Sequence, residues 1–150
     1  MALATLTVKV EGNPYMDGSI DPFRVICDWK STDGGAVSKA ICSTYAAQKE
    51  YGNFGPLPTK IRGILRQAQT SPGLLGVPAT EPPTAAYDIT ILDALGLDVM
   101  AGKLADRSAT ASEIVASGDV YIDSELTLTI ASAGNETHGR IILTFDPMEP

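Results

Sequence analysis

The chain has 150 residues, a length that fits one domain burying about two-thirds of its unfolded surface. Eighteen acidic against eleven basic side chains leave a net charge of -7, which argues against nucleic acid, because phosphate-held partners need a dense basic surface. No apolar run approaches the ~20 residues that span a bilayer, and no signal-peptide core follows Met1, so the expectation is a soluble, unexported product made in the cytoplasm with no membrane partner.

In chain order, Leu3 to Val10 alternates apolar and polar side chains and predicts a strand. Within Met1 to Asn13, such a strand has the character of an arm able to leave its own sheet and pair with a neighbour's edge. Asp33-Gly34-Gly35-Ala36 supplies two central glycines for a tight turn. The flanks then pair as a hairpin, placing Trp29 on a buried face opposite Ala40 and Cys27 opposite Cys42. That separation would accept a disulfide, but a reducing cytosol favours two buried thiols. Ser43 to Pro58 is an excursion from the sheet.

Lys60 to Gln69 is the next predicted strand, with Arg62 and Arg66 on one face and Ile64 between them. The two arginines ion-pair with a neighbour's carboxylates or decorate a sheet edge against aggregation. Ser71 to Ala86 carries four prolines together with Leu74, Leu75 and Val77. It reads as a long extended loop with adhesive side chains.

Tyr87 to Leu92, Asp93-Ala94-Leu95-Gly96 and Leu97 to Met100 form a third hairpin, with Gly96 left-handed and Ile91 meeting Val99. Asp88, Asp93 and Asp98 around it have the oxygens to hold calcium, but their spacing fits turn solvation better. Thr110-Ala111-Ser112-Glu113 has capping-box spacing and predicts a short helix ended by Gly118. Val120 to Ala131 then alternates as one half-buried strand, turning through Ala133-Gly134-Asn135 into Ile141, Leu143 and Phe145. The best register sets Ile130 against Ile141, Leu128 against Leu143 and Leu126 against Phe145. His138 falls in the polar turn as a solvated residue, and the glycosylation-type triplet Asn135-Glu136-Thr137 has no meaning in an unexported chain.

About eight short strands with turns between them predict an antiparallel all-β fold, a sandwich or jelly-roll-like barrel in a single domain. One His and two Cys, unclustered, leave no metal or cofactor set, and no Ser, His and Asp share a nucleophile context, so no enzyme activity is expected. Residues 1–75 carry eight basic and six acidic side chains, net +2, and residues 76–150 carry three and twelve, net -9. Such a split suits subunit packing.

The run Tyr87 to Val99, the segment Arg107 to Ala111, and Leu126-Thr127-Leu128 through Ala133-Gly134-Asn135 to Leu143 resemble small structural proteins of tailed bacteriophages. Asp28 to Gly35 and Ile61 to Arg66 with Ser71-Pro72 fit the same pattern. The resemblance spans Phe23 to Phe145, and Ser43 to Pro58 departs from it. It is similar to the head decoration, or cement, proteins. The resemblance implies an all-β homotrimer on the outer capsid surface of the virion, bound to the major capsid protein and to copies of itself, with no catalytic residues. A tail or fibre subunit that binds the host surface is the competing role. On either reading Arg62, Arg66, Leu74, Leu75 and Val77 are the expected partner contacts.

Overall fold

The computed structural model describes residues 3–11, 22–32, 34–41, 60–73 and 82–147. Eight strands run in order: β1 Thr5–Glu11, β2 Phe23–Lys30, β3 Val37–Ala40, β4 Ile61–Pro72, β5 Asp88–Leu92, β6 Glu113–Ser124, β7 Thr127–Ala131 and β8 His138–Asp146. They form two open antiparallel sheets, β1-β2-β8-β4-β6 and β3-β7-β5. The all-β expectation holds. Each strand turns its alternate apolar residues inward, and both sheets share one core. Phe23, Val25, Cys27 and Trp29 of β2, Leu65 and Ala68 of β4, and Ile141, Leu143 and Phe145 of β8 meet Val37, Ile89, Ile91, Leu128 and Ile130 of the smaller sheet. Phe23 and Phe145 stack with centroids 5.0 Å apart. Each such side chain contributes roughly 1.5–3 kcal/mol by leaving water.

Two expected hairpins are instead crossings between sheets. The β2–β3 turn forms, with Gly35 N–H donating to Thr32 O at 3.0 Å and Gly35 left-handed at φ 77°. Its two flanks do not pair. Trp29 is buried, as expected, but its ladder neighbours are Leu6 and Gly139 rather than Ala40. Cys27 pairs in register with Val8 and Ile141, so it does not sit opposite Cys42 in a hairpin; Cys42 itself lies outside the described residues. Likewise Val120 to Ala131 is two strands, with β6 ending at Ser124 and the chain entering the other sheet at β7. Ile141, Leu143 and Phe145 pair with Cys27, Val25 and Phe23, while Ile130 and Leu128 pair with Val37 and Lys39. The apolar faces of β2, β7 and β8 are those the alternation predicts, but they meet across the core instead of along one ladder; on β3 the inward residue is Val37, followed by Ile41, and Ala40 is exposed.

A buried polar corner fixes these crossings. Ser31 N–H donates to Thr137 O at 2.9 Å, Ser31 Oγ to Gly134 O at 2.8 Å, and Thr137 Oγ1 to Ala133 O at 2.8 Å. Ala133 N–H reaches Gly35 O at 3.1 Å. Every turn of the corner is thus tied to its neighbour, which keeps buried backbone groups satisfied. Thr137, the last residue of the glycosylation-type triplet, is buried here.

The expected helix at Thr110 is absent. Glu113 Oε1 accepts from Ser108 N–H at 2.7 Å rather than reaching back to Thr110, and the chain enters β6. Gly118 (φ 90°) and Asp119 (φ 60°) form a bulge in that strand, where the register against β4 shifts between Leu65 and Gln67. The third hairpin survives in part: Gly96 is left-handed at φ 80°, and Val99 N–H donates to Ile91 O at 2.8 Å. Beyond the Leu92–Asp98 bridge, however, the chain continues in turns rather than a strand.

Candidate functional site

The most developed surface feature lies where the turn after β5 meets the end of β6. Among the described residues β6 is the last strand of the larger sheet, with β4 as its one neighbour. Asp93 Oδ1 accepts from Leu95 N–H at 2.9 Å and Leu97 N–H at 3.0 Å, winding the chain into a tight turn. Asp98 Oδ1 accepts from Ile91 N–H at 3.2 Å and Met100 N–H at 3.0 Å, and its Oδ2 from Gly102 N–H at 2.8 Å. Buried Met100 and Leu104 peg the turn to the core, and Ala94 N–H donates to Ser124 Oγ at 2.9 Å, tying it to β6. The carboxylate-capped turn projects Leu95 and Leu97 outward, 84% and 62% exposed.

Between this turn and Val120–Ser124 runs an open groove of about 470 Å³. Leu97, Val99 and Ala101 form one wall, and five consecutive residues of β6 form the other. Because successive side chains of a strand point to opposite faces, a wall of consecutive residues is the strand's edge, with its backbone. Tyr121 is 52% exposed there. Asp93, Asp98 and Asp123 line the same groove, and among the described residues no lysine or arginine does. The three acids of the third turn are therefore backbone caps: Asp88 Oδ1 also accepts from Asp106 N–H, at 2.9 Å. Among the described residues no three His, Cys, Asp or Glu side chains are grouped to hold a metal ion. The groove offers apolar surface, backbone and negative charge, which is the chemistry of binding.

The expected contact residues are elsewhere. Arg62 and Arg66 are exposed on β4, which is an interior strand between β8 and β6, so neither decorates an edge. Arg66 sits at the bulge and is held within the chain, 2.9 Å from Asp119 and bonded to Asp146, and these carboxylates push its pKa up. Arg62 is the ladder neighbour of Asp123 and makes no ion pair among the described residues. Leu74, Leu75 and Val77 lie outside the described residues. His138 is the first residue of β8, opposite Lys30, rather than a loop residue. No described helix is long and apolar enough to cross a membrane.

No protein-family model, curated protein or solved structure matches the chain.

Proposed function

We propose that this chain is a virion structural protein, a decoration or cement protein that binds the outer surface of a tailed-phage head and stabilises the shell. The observation that carries the reading is the acid-lined apolar groove at the open edge of the larger sheet, in a chain whose turn carboxylates cap backbone instead of assembling chemistry. Docking surfaces of this kind work by burying apolar side chains inside a polar rim. The resemblance of Phe23 to Phe145 to phage structural proteins supplies the particle. The larger sheet ends in β1 on one side and β6 on the other, two different surfaces able to meet head to tail. A rotation that closes such contacts makes a ring, which supports the homotrimer. Major capsid protein is the other partner, and jelly-roll-like wrapping of the two sheets belongs to the same proposal. The groove's single exposed aromatic, Tyr121, is little for a carbohydrate-reading fibre tip.

Purified chain added to undecorated heads tests this. The expected result is hundreds of copies per head and greater heat resistance of the shell. A few copies confined to the tail would replace cement by the tail or fibre role, and no copies in purified particles would end the virion reading.

A further inference from the structure

We infer that the edge of β6 from Val120 to Ser124, which no other described strand covers, is a strand-acceptor site for an extended partner segment that alternates apolar residues with lysine or arginine. The inference concerns the groove alone and holds whichever particle or partner uses it.

Three observations converge on it. First, the groove runs alongside five consecutive residues of an edge strand, and among the described residues their backbone pairs with β4 alone. An unpaired edge presents N–H and C=O groups at the spacing of a strand, and five residues at about 3.3 Å each offer a ledge of roughly 17 Å. Second, the opposite wall is apolar and is held open: Leu97 and Val99 stand on a turn fixed by five amide hydrogen bonds to Asp93 and Asp98. The turn touches β6 at Ser124, through the Ala94 amide, and its caps hold Leu97 and Val99 in place beside the rest of the ledge, so an added strand meets a formed site and avoids the entropy of ordering it. Third, the charge is of one sign. Asp93, Asp98 and Asp123 line the groove, and among the described residues no basic side chain lines it or forms an ion pair with them, Arg62 standing behind Asp123 on β4. A cationic segment is complementary to it, and an acidic one is repelled.

The geometry assigns each part of such a segment a role. Its backbone pairs with β6, its basic side chains stand on the face that carries Tyr121 and Asp123, and its apolar side chains, on the opposite face, lie against Leu97 and Val99. Strand addition draws affinity from main-chain pairing and specificity from alternate side chains.

The test uses the full chain and a capped seven-residue peptide alternating valine with lysine. Two controls accompany it: the same peptide N-methylated on alternate backbone nitrogens, and its glutamate counterpart. Hydrogen exchange reads the amides of residues 120–124, and titration gives the affinity. The lysine peptide is expected to slow exchange about tenfold at saturation at those amides of residues 120–124 that point away from β4, and each control to bind at least about tenfold more weakly. Asp123→Asn and Tyr121→Lys, both at exposed positions, are expected to weaken binding about threefold and about tenfold while leaving the unfolding midpoint in place. Equal binding of the N-methylated peptide would overturn strand addition, and equal binding of the glutamate peptide would overturn the charge assignment. If the chain alone forms an oligomer with residues 120–124 already protected, and Tyr121→Lys dissociates it, the occupant is a second copy and the inference fails.

Discussion

Tyr87 shows how one buried atom couples this fold to pH. Its ring is fully buried and lies 5.7 Å from the Trp29 ring, and among the described residues its hydroxyl makes no well-formed hydrogen bond, with the Thr70 side chain its polar neighbour. Burial, and after it the Glu113 carboxylate, push the phenol up to about 12. In the unfolded chain the same group ionises near pH ~10. Between pH ~10 and ~12 the unfolded state therefore loses its proton while the folded state keeps it, so stability falls as pH rises through that window, by on the order of 2 kcal/mol. Tyr87→Phe is expected to flatten this alkaline slope in denaturant titrations. At neutral pH it should be neutral or slightly stabilising, since it removes an unpaired polar atom. An unchanged slope would mean the hydroxyl is solvated in the native protein. Its neighbour Trp29 depends on Gly139, because a Cβ at 139 would stand 2.3 Å from Trp29 Cζ2. Gly139→Ala is expected to cost about 1–3 kcal/mol by overpacking, and much less once Trp29→Leu has emptied the space. Additive costs in that double-variant cycle would refute the contact.

At the scale of elements, strands were legible and their partners were not. Period-two alternation located β1, β2, β4, β5 and β8 to within a few residues, because an inward face needs apolar side chains whichever sheet it belongs to. That same pattern is identical for a hairpin and for a crossing between sheets. Nothing in Ile130 and Ile141 distinguishes neighbours along a ladder from residues facing across a core, so the two hairpins were misassigned together. What separates the cases is the corner of Ser31 and Thr137, whose hydroxyls replace ladder bonds at the crossings. Two ordinary polar residues about a hundred positions apart carry no local signal of it. The groove was half legible: the Asp93–Gly96 turn was expected, but the exposure of Leu95 and Leu97 follows from how Asp93 and Asp98 cap amides. Asp98→Ala removes the acceptor of three of those amides and is expected to cost about 1–3 kcal/mol. Hydrogen exchange at Ile91, Met100 and Gly102 is its direct readout, and unchanged rates there would show that the caps are not formed.

For the whole molecule, the described charges of the larger sheet are largely paired with one another, and the groove beside β6 is where acids stand without an ion pair. Toward β1 the charges are mutually paired: Glu11 bonds Arg24, Asp28 takes a two-point contact from Arg140 at 2.5 and 2.9 Å, and Lys30 meets Glu136 at 3.5 Å. Toward β6, Arg66 meets Asp119 and Arg107 meets Glu113, while in the groove Asp93 and Asp98 accept from amides and Asp123 from the Tyr121 hydroxyl at 3.5 Å, with no ion pair to any of the three among the described residues. Such a groove suits head-to-tail association only if β1 stays in its own sheet, and its contacts show how firmly it is held. All seven residues of β1 are in register with β2, and Val8 and Val10 are each 3% exposed. Those two side chains alone contribute about 3–6 kcal/mol at the usual value for buried valines, against a total of about 5–15 kcal/mol for a typical domain. Deleting residues 1–11 is therefore expected to abolish cooperative thermal unfolding, not merely to release an arm. A truncated chain that still unfolds cooperatively, within about 1 kcal/mol of the full chain, would show that β1 is dispensable to the fold. It would then be free to exchange with a neighbour, and undecorated heads offered full and truncated chains would register that exchange as a difference in occupancy.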